Sequence, residues 1–276
     1  MRRSTTSAAT DRVRLGLLLL AELILAASLI ARPAAAPGPQ VRIAAPSAAA
    51  HTVVPSPGSL TLPDGRRVVL TGLGGATALL TRIADEMPGA AAAVTGFWGG
   101  EWPRTVAIVA ADSDAQFQSL TGFGAGIAAA TTADGIVFAP GADTMNDDAL
   151  RIVVRHELFH FAARSVTAAD APRWLTEGVA DYVARPAAAP SAPAQAPLRL
   201  PTDTDLATAG PAQSQAYDHA WWFAGYVAHR YGAATLRDLY LRACGAGHPD
   251  IDAAVRDTLG APMDEVLSGW RQWAAG

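Results

Sequence analysis

The chain contains no lysine: all 21 of its basic residues are arginine. Beside so much alanine this reads as compositional bias, and it assigns no function. A single cysteine, Cys244, excludes an internal disulfide, a Cys-x-x-Cys redox pair and a cysteine-rich zinc site. That thiol reads as a small residue packed near a helix end. Charge is scarce as well. The net value is −4, and the arginines are scattered rather than gathered in a stripe, which gives no support to nucleic-acid binding. No internal repeat is evident. The glycine-rich Gly122-Phe123-Gly124-Ala125-Gly126 lacks the Lys-Ser/Thr of a phosphate loop and the strand-loop-helix setting of a dinucleotide fold, so it reads as a plain loop. What the chain has is apolar mass: 50% of its 276 residues are hydrophobic, enough for a real core in one medium domain with appendages.

Its most informative segment is Arg155-His156-Glu157-Leu158-Phe159-His160, followed by PRWLTEGVADY from Pro172 to Tyr182. Histidine and glutamate each occur only six times in the chain, so chance assembly of His-Glu-x-x-His is improbable. On a helix, His156 and His160 share one face and can grip one ion. Ile152, Val153, Leu158, Phe159 and Phe161 make that helix largely buried, where unpaired ionisable groups are costly and a metal would satisfy them. Glu157 projects beside the histidines, placed to take a proton from a metal-bound water. Glu177, on the next amphipathic stretch, can return as a third ligand, leaving a tetrahedral zinc one open position. Asp181, four residues on, shares the face of Glu177 and can hydrogen-bond the outer nitrogen of a ligand histidine. The ligand types point to Zn²⁺, although two histidines and a glutamate also bind cobalt or manganese.

The pair RHELFHFAA and PRWLTEGVADY resembles the gluzincin metallopeptidases, specifically the peptidase MA-like domains. The match is strong over 151–182, reasonable to about 240 and diffuse over 60–148. The resemblance implies a zincin-like α+β fold: a small mixed sheet packed on the active-site helix, then a mainly helical C-terminal part. It implies Glu157 as general base, His156, His160 and Glu177 as zinc ligands, and a peptide or protein substrate. It also implies that Tyr217, or alternatively His219, approaches the zinc from the following helix to stabilise the transition state. The strand Ile136–Phe138 would receive an extended peptide at its edge, or be an ordinary core strand. A non-hydrolytic, zinc-containing surface module for binding or sensing is the alternative function.

The N-terminus reads as an address. Arg2, Arg3, Arg12 and Arg14 form a basic segment over 1–14, ahead of an apolar run over 15–31 that only Glu22 interrupts. Pro37 directly after Ala34-Ala35-Ala36 disfavours cleavage, so an uncleaved anchor is favoured over a removed signal. Residues 32–58 read as an Ala/Pro-rich linker, and 59–276 as the peptidase domain. The expected location is therefore a single-pass membrane protein with an extracytoplasmic catalytic domain, or else a secreted one.

Within the domain, Asp64-Gly65 predicts a hairpin, and helical spacing from Gly75 stops at Pro88-Gly89. Ser113 predicts a helix N-cap, and Asn146 or Asp147 caps the His-Glu-x-x-His helix. The Pro/Ala-rich stretch 185–214 reads as a loop by the cleft mouth, and three closing helices are expected over 217–231, 234–244 and 251–273.

Overall fold

A computed structural model of the chain describes residues 56–124, 126–186 and 198–275. It is an α+β structure. Strands β1 (Ser56–Thr61) and β2 (Arg67–Gly72) form the expected hairpin, turning where Gly65 takes a positive φ of 83°. Helix α1 (Thr77–Trp98) connects β2 to the parallel strand β3 (Thr105–Ala110). Helix α2 (Asp114–Thr121) starts at Ser113, whose hydroxyl accepts from the Gln116 amide. Two short strands, β4 (Ala129–Thr131) and β5 (Ile136–Phe138), complete a mixed five-stranded sheet in the order β1-β2-β3-β5-β4.

The helical remainder begins with α3 (Asp147–Ala163) and α4 (Arg173–Ala184). A short α5 (Asp203–Ala207) precedes α6 (Pro211–Tyr231), α7 (Ala233–Cys244), α8 (Ile251–Leu259) and α9 (Met263–Ala274). Asn146 caps α3 by accepting from the Ala149 amide at 2.8 Å, and Asp147 and Asp148 complement the dipole in its first turn. Cys244 is fully buried at the end of α7.

Four expectations need correction. Pro88 does not end α1, which continues for ten residues beyond it. Met87, Ala90, Ala91 and Val94 are buried on both sides of the proline, so packing of that face outweighs one lost amide donor. The last expected helix is two, separated at Gly260, which adopts φ 71°, and Pro262. Ile136–Phe138 is not a sheet edge. It lies between β3 and β4 with all three residues buried, and the edge strand on its far side is β4. Finally, the expected membrane location is withdrawn. Among the described residues no helix is long and apolar enough to cross a membrane. The longest, α1 and α6, are amphipathic and carry Arg82, Asp85 and Glu86, or Asp218, His229 and Arg230. The expected basic segment and apolar run, 1–14 and 15–31, lie outside the described residues, as does most of the expected linker.

One main core joins the sheet to the helices through residues such as Ile83, Val106, Phe138, Leu158 and Phe159. Helices α4 and α6 approach unusually closely, and glycine is what permits it. A Cβ at Gly178 would lie 2.5 Å from the carbonyl oxygen of Ala220. Gly178→Ala should therefore destabilise the fold by about 1–3 kcal/mol, as over-packing does. Urea unfolding measures this, and an unchanged midpoint would mean that the helices separate without cost.

Candidate metal centre

Helix α3 brings His156 and His160 one turn apart, with ring centroids 4.7 Å apart, and their Nε2 atoms converge to 3.0 Å. Helix α4 adds Glu177, whose Oε2 lies 3.2 Å from His156 Nε2 and 3.6 Å from His160 Nε2. The three side chains offer one ligand atom each to a common point, as the spacing predicts. Four ligands around a tetrahedral ion with bonds of about 2.0–2.2 Å sit roughly 3.3 Å from one another. The three observed separations bracket that value.

Tautomer argues the same way. The Oδ1 of Asp181, 3.0 Å from His156 Nδ1, can only accept, so Nδ1 carries a proton. That turns the bare Nε2 lone pair of neutral His156 towards His160 and Glu177. Glu177 Oε2 is itself buried without a directed hydrogen bond. Lone pairs facing one another across 3.0–3.6 Å in a buried pocket repel unless positive charge lies among them. The electrostatics of the protein alone express that demand. Burial would lower the His156 pKa, yet Asp181 and Glu177 raise it well above the usual imidazole range. Burial would raise that of Glu177, and the imidazoles of His160 and His156 hold it well below the carboxylate range. A divalent ion meets the same demand without protonating the ligands.

Glu157 is buried beside this group. The hydroxyl of Thr131, on edge strand β4, lies 2.7 Å from Glu157 Oε2 and 2.9 Å from the Glu157 backbone carbonyl, and donates its single proton to one of them at a time. Thr131 was missed by sequence reasoning, because a three-residue strand meeting a helix across 26 residues leaves no local pattern. His160 and Glu177 open onto a cavity of about 310 Å³ walled by the short side chains of Thr167 to Ala171 and by Thr176, with Arg173 and Asp203.

The other two candidates lie on α6. Tyr217 is buried with Leu206 and Ala216 and packs against Trp174, which opens the helix carrying Glu177. His219 donates Nδ1–H to the Arg199 carbonyl at 3.1 Å, and its ring faces Trp222 and Trp270. Burial lowers its pKa against the opposing pull of that carbonyl. The three ligand atoms that converge do not include a nitrogen of His219.

No protein-family model matches the chain, and no curated protein does. Among solved structures it is similar to aminopeptidase A of Legionella pneumophila, determined in complex with aspartic acid, with a TM-score of 0.55 at 14% identity. The likeness covers 79% of this chain but only 28% of that one, and at such identity it is a likeness of fold. The fold is thus one that a region of a peptidase also adopts, here with a His-His-Glu group able to hold a metal ion.

Adding a divalent metal should stabilise the protein, by about 2.7 kcal/mol at a hundredfold excess over Kd. Glu177→Ala should abolish most of that gain. Thermal unfolding with added metal and with chelator measures both, and equal gains in the two proteins would remove Glu177 from the site.

Proposed function

We propose that the chain is a zinc-dependent peptidase of gluzincin type, with a zincin-like arrangement of sheet edge, ligand helix and third-ligand helix. The observation that carries this reading is the convergence of His156, His160 and Glu177 with a buried, oriented Glu157 alongside. Those three residues would hold the ion, and two nitrogens with one carboxylate oxygen suit zinc. When bound, zinc supplies Lewis acidity, acidifying a water and polarising a carbonyl.

The protein's own groups do the rest. Thr131 engages Oε2 of Glu157, so Oε1 is the oxygen that takes the proton from the attacking water and later returns it to the leaving amine. Asp181 fixes the His156 ring and its tautomer. Strand β4, at the sheet edge, is suited to pair with an extended peptide, which would run past Glu157. Tyr217 is assigned to stabilise the developing oxyanion, as the resemblance implies; His219 donates Nδ1–H to the Arg199 carbonyl, so its neutral ring has no proton on Nε2 to give.

The test is metal analysis and hydrolysis of a mixed peptide library by the purified chain beside two variants. Glu157→Gln should keep one zinc and lose turnover by at least about 10²-fold. Thr131→Val should keep zinc and lose roughly tenfold, the worth of a hydrogen bond to a charged group. Full activity in Glu157→Gln would overturn the base assignment. Zinc without hydrolysis in the unaltered chain would favour the binding-module reading instead.

A further inference from the structure

Asp181 has a second partner besides His156. Its Oδ2 lies 2.7 Å from a terminal nitrogen of Arg185, the residue that ends α4. The distance is short but the direction is off the N–H bond, and neither atom has a directed hydrogen bond. Charge, rather than bond geometry, holds this contact. Arg185 also donates to Oδ1 of Asp218 on α6 at 2.8 Å, and its guanidinium lies 4.8 Å from the centre of the Trp221 ring. Asp181 is 0% and Arg185 8% exposed. A row His156–Asp181–Arg185–Asp218 therefore runs from the ligand helix through α4 to α6, buried as far as Arg185 and half-exposed at Asp218. It ends at the wall of a cavity of about 750 Å³ that Arg185 shares with Tyr182, Trp221, Trp222 and Trp273.

We infer that Arg185 is a positioning residue for the metal centre, acting on His156 through Asp181. The inference rests on the metal-site reading above. A fully buried carboxylate with one donor on Oδ1 has an oxygen left over, and isolated charge is costly there. Arg185 supplies the opposite charge on that side, so the carboxylate has no reason to turn away from His156. Without Arg185, Oδ2 must seek another donor by rotation of the carboxylate, and the His156 ring loses its fixed orientation. Partners of this kind, behind a ligand histidine, typically alter metal affinity 10–100-fold.

The test is a double-mutant cycle on the full chain, with the zinc Kd read by competition with a chromophoric chelator and ligand geometry by the visible spectrum of the cobalt-loaded protein. Arg185→Met should weaken zinc binding about 10–100-fold and change the cobalt spectrum as Asp181→Asn does. The double variant should bind no more weakly than Asp181→Asn alone, because both remove one pathway. Arg185→Lys should recover most of the affinity, since the contact with Asp181 depends on charge. Losses that multiply in the double variant, or a Kd unchanged by Arg185→Met, would overturn the inference. Should Arg185→Met fail to fold, Arg185→Gln, which keeps a polar side chain but removes the charge, and its double with Asp181→Asn complete the cycle, with no added loss expected in the double and a multiplied loss overturning it. An unaltered chain that binds no zinc would overturn the metal reading and this inference together, whereas zinc in the unaltered chain with multiplied losses overturns only the role of Arg185.

Discussion

Two carboxylates buried one turn apart on α4 set the terms for this structure. Glu177 is 5% and Asp181 0% exposed, and burying a carboxylate to that extent is costly unless positive charge lies close by. The chain answers each differently. Asp181 is met by protein groups, the Nδ1–H of His156 on one oxygen and Arg185 on the other. Glu177 is met by two imidazole nitrogens, an arrangement able to hold a metal ion. His156 stands between the two carboxylates and joins them into one electrostatic unit. Gly178 lies between Glu177 and Asp181 in sequence, and the absence of its side chain lets α6 come close enough to bring Asp218 to Arg185.

The helices are held in that relation mainly by apolar packing. Arg82 with Asp147 and Arg151 with Glu86 tie α1 to α3, but these pairs are partly exposed and such contacts contribute about 0–1 kcal/mol each. Phe159, fully buried between the histidines and the aromatic rings of Phe97, Trp98 and Tyr240, contributes more, roughly 1.5–3 kcal/mol for its buried area. The residues that alternate with the ligands along α3 are thus those that lock the helix in place. The same five-residue motif supplies two of the three converging side chains and the anchor.

That local density explains how legible the site was. His156, His160, Glu177 and Asp181 are related within two helices by a period of four residues, and helical geometry alone puts them on shared faces. Thr131 and Asp218 reach these side chains through tertiary structure, from a three-residue strand and from a helix well beyond α4 in the chain, and no spacing announces them. Arg185 is an intermediate case. It repeats the same four-residue step after Asp181, yet the proline that follows gives it the look of the first loop residue. The strand order was illegible because β4 and β5 follow each other in the chain while β5, the later one, inserts beside β3. Pro88 was misread because a local breaker was weighed without the buried face on either side of it. The break at Gly260 and Pro262 was written plainly in residue types that favour one, and regular apolar spacing across it hid the signal.

The two sides of the centre differ in access. His156 has a side chain 1% exposed, whereas that of His160 is 18% exposed and lines the 310 Å³ cavity together with Glu177. The walls on that side combine short alanine and threonine side chains with Asp170, Arg173 and Asp203. On the far side His156 backs onto Asp181, whose other oxygen lies against Arg185. A more open face at His160 and a buried, charged back at His156 are what a metal centre would need to keep its geometry while its fourth position turned over. Glu157 stands apart from that row, its carboxylate engaged from the sheet edge by Thr131. The contacts that hold His156 and those that hold Glu157 thus come from separate elements. A disturbance in one can leave the other intact.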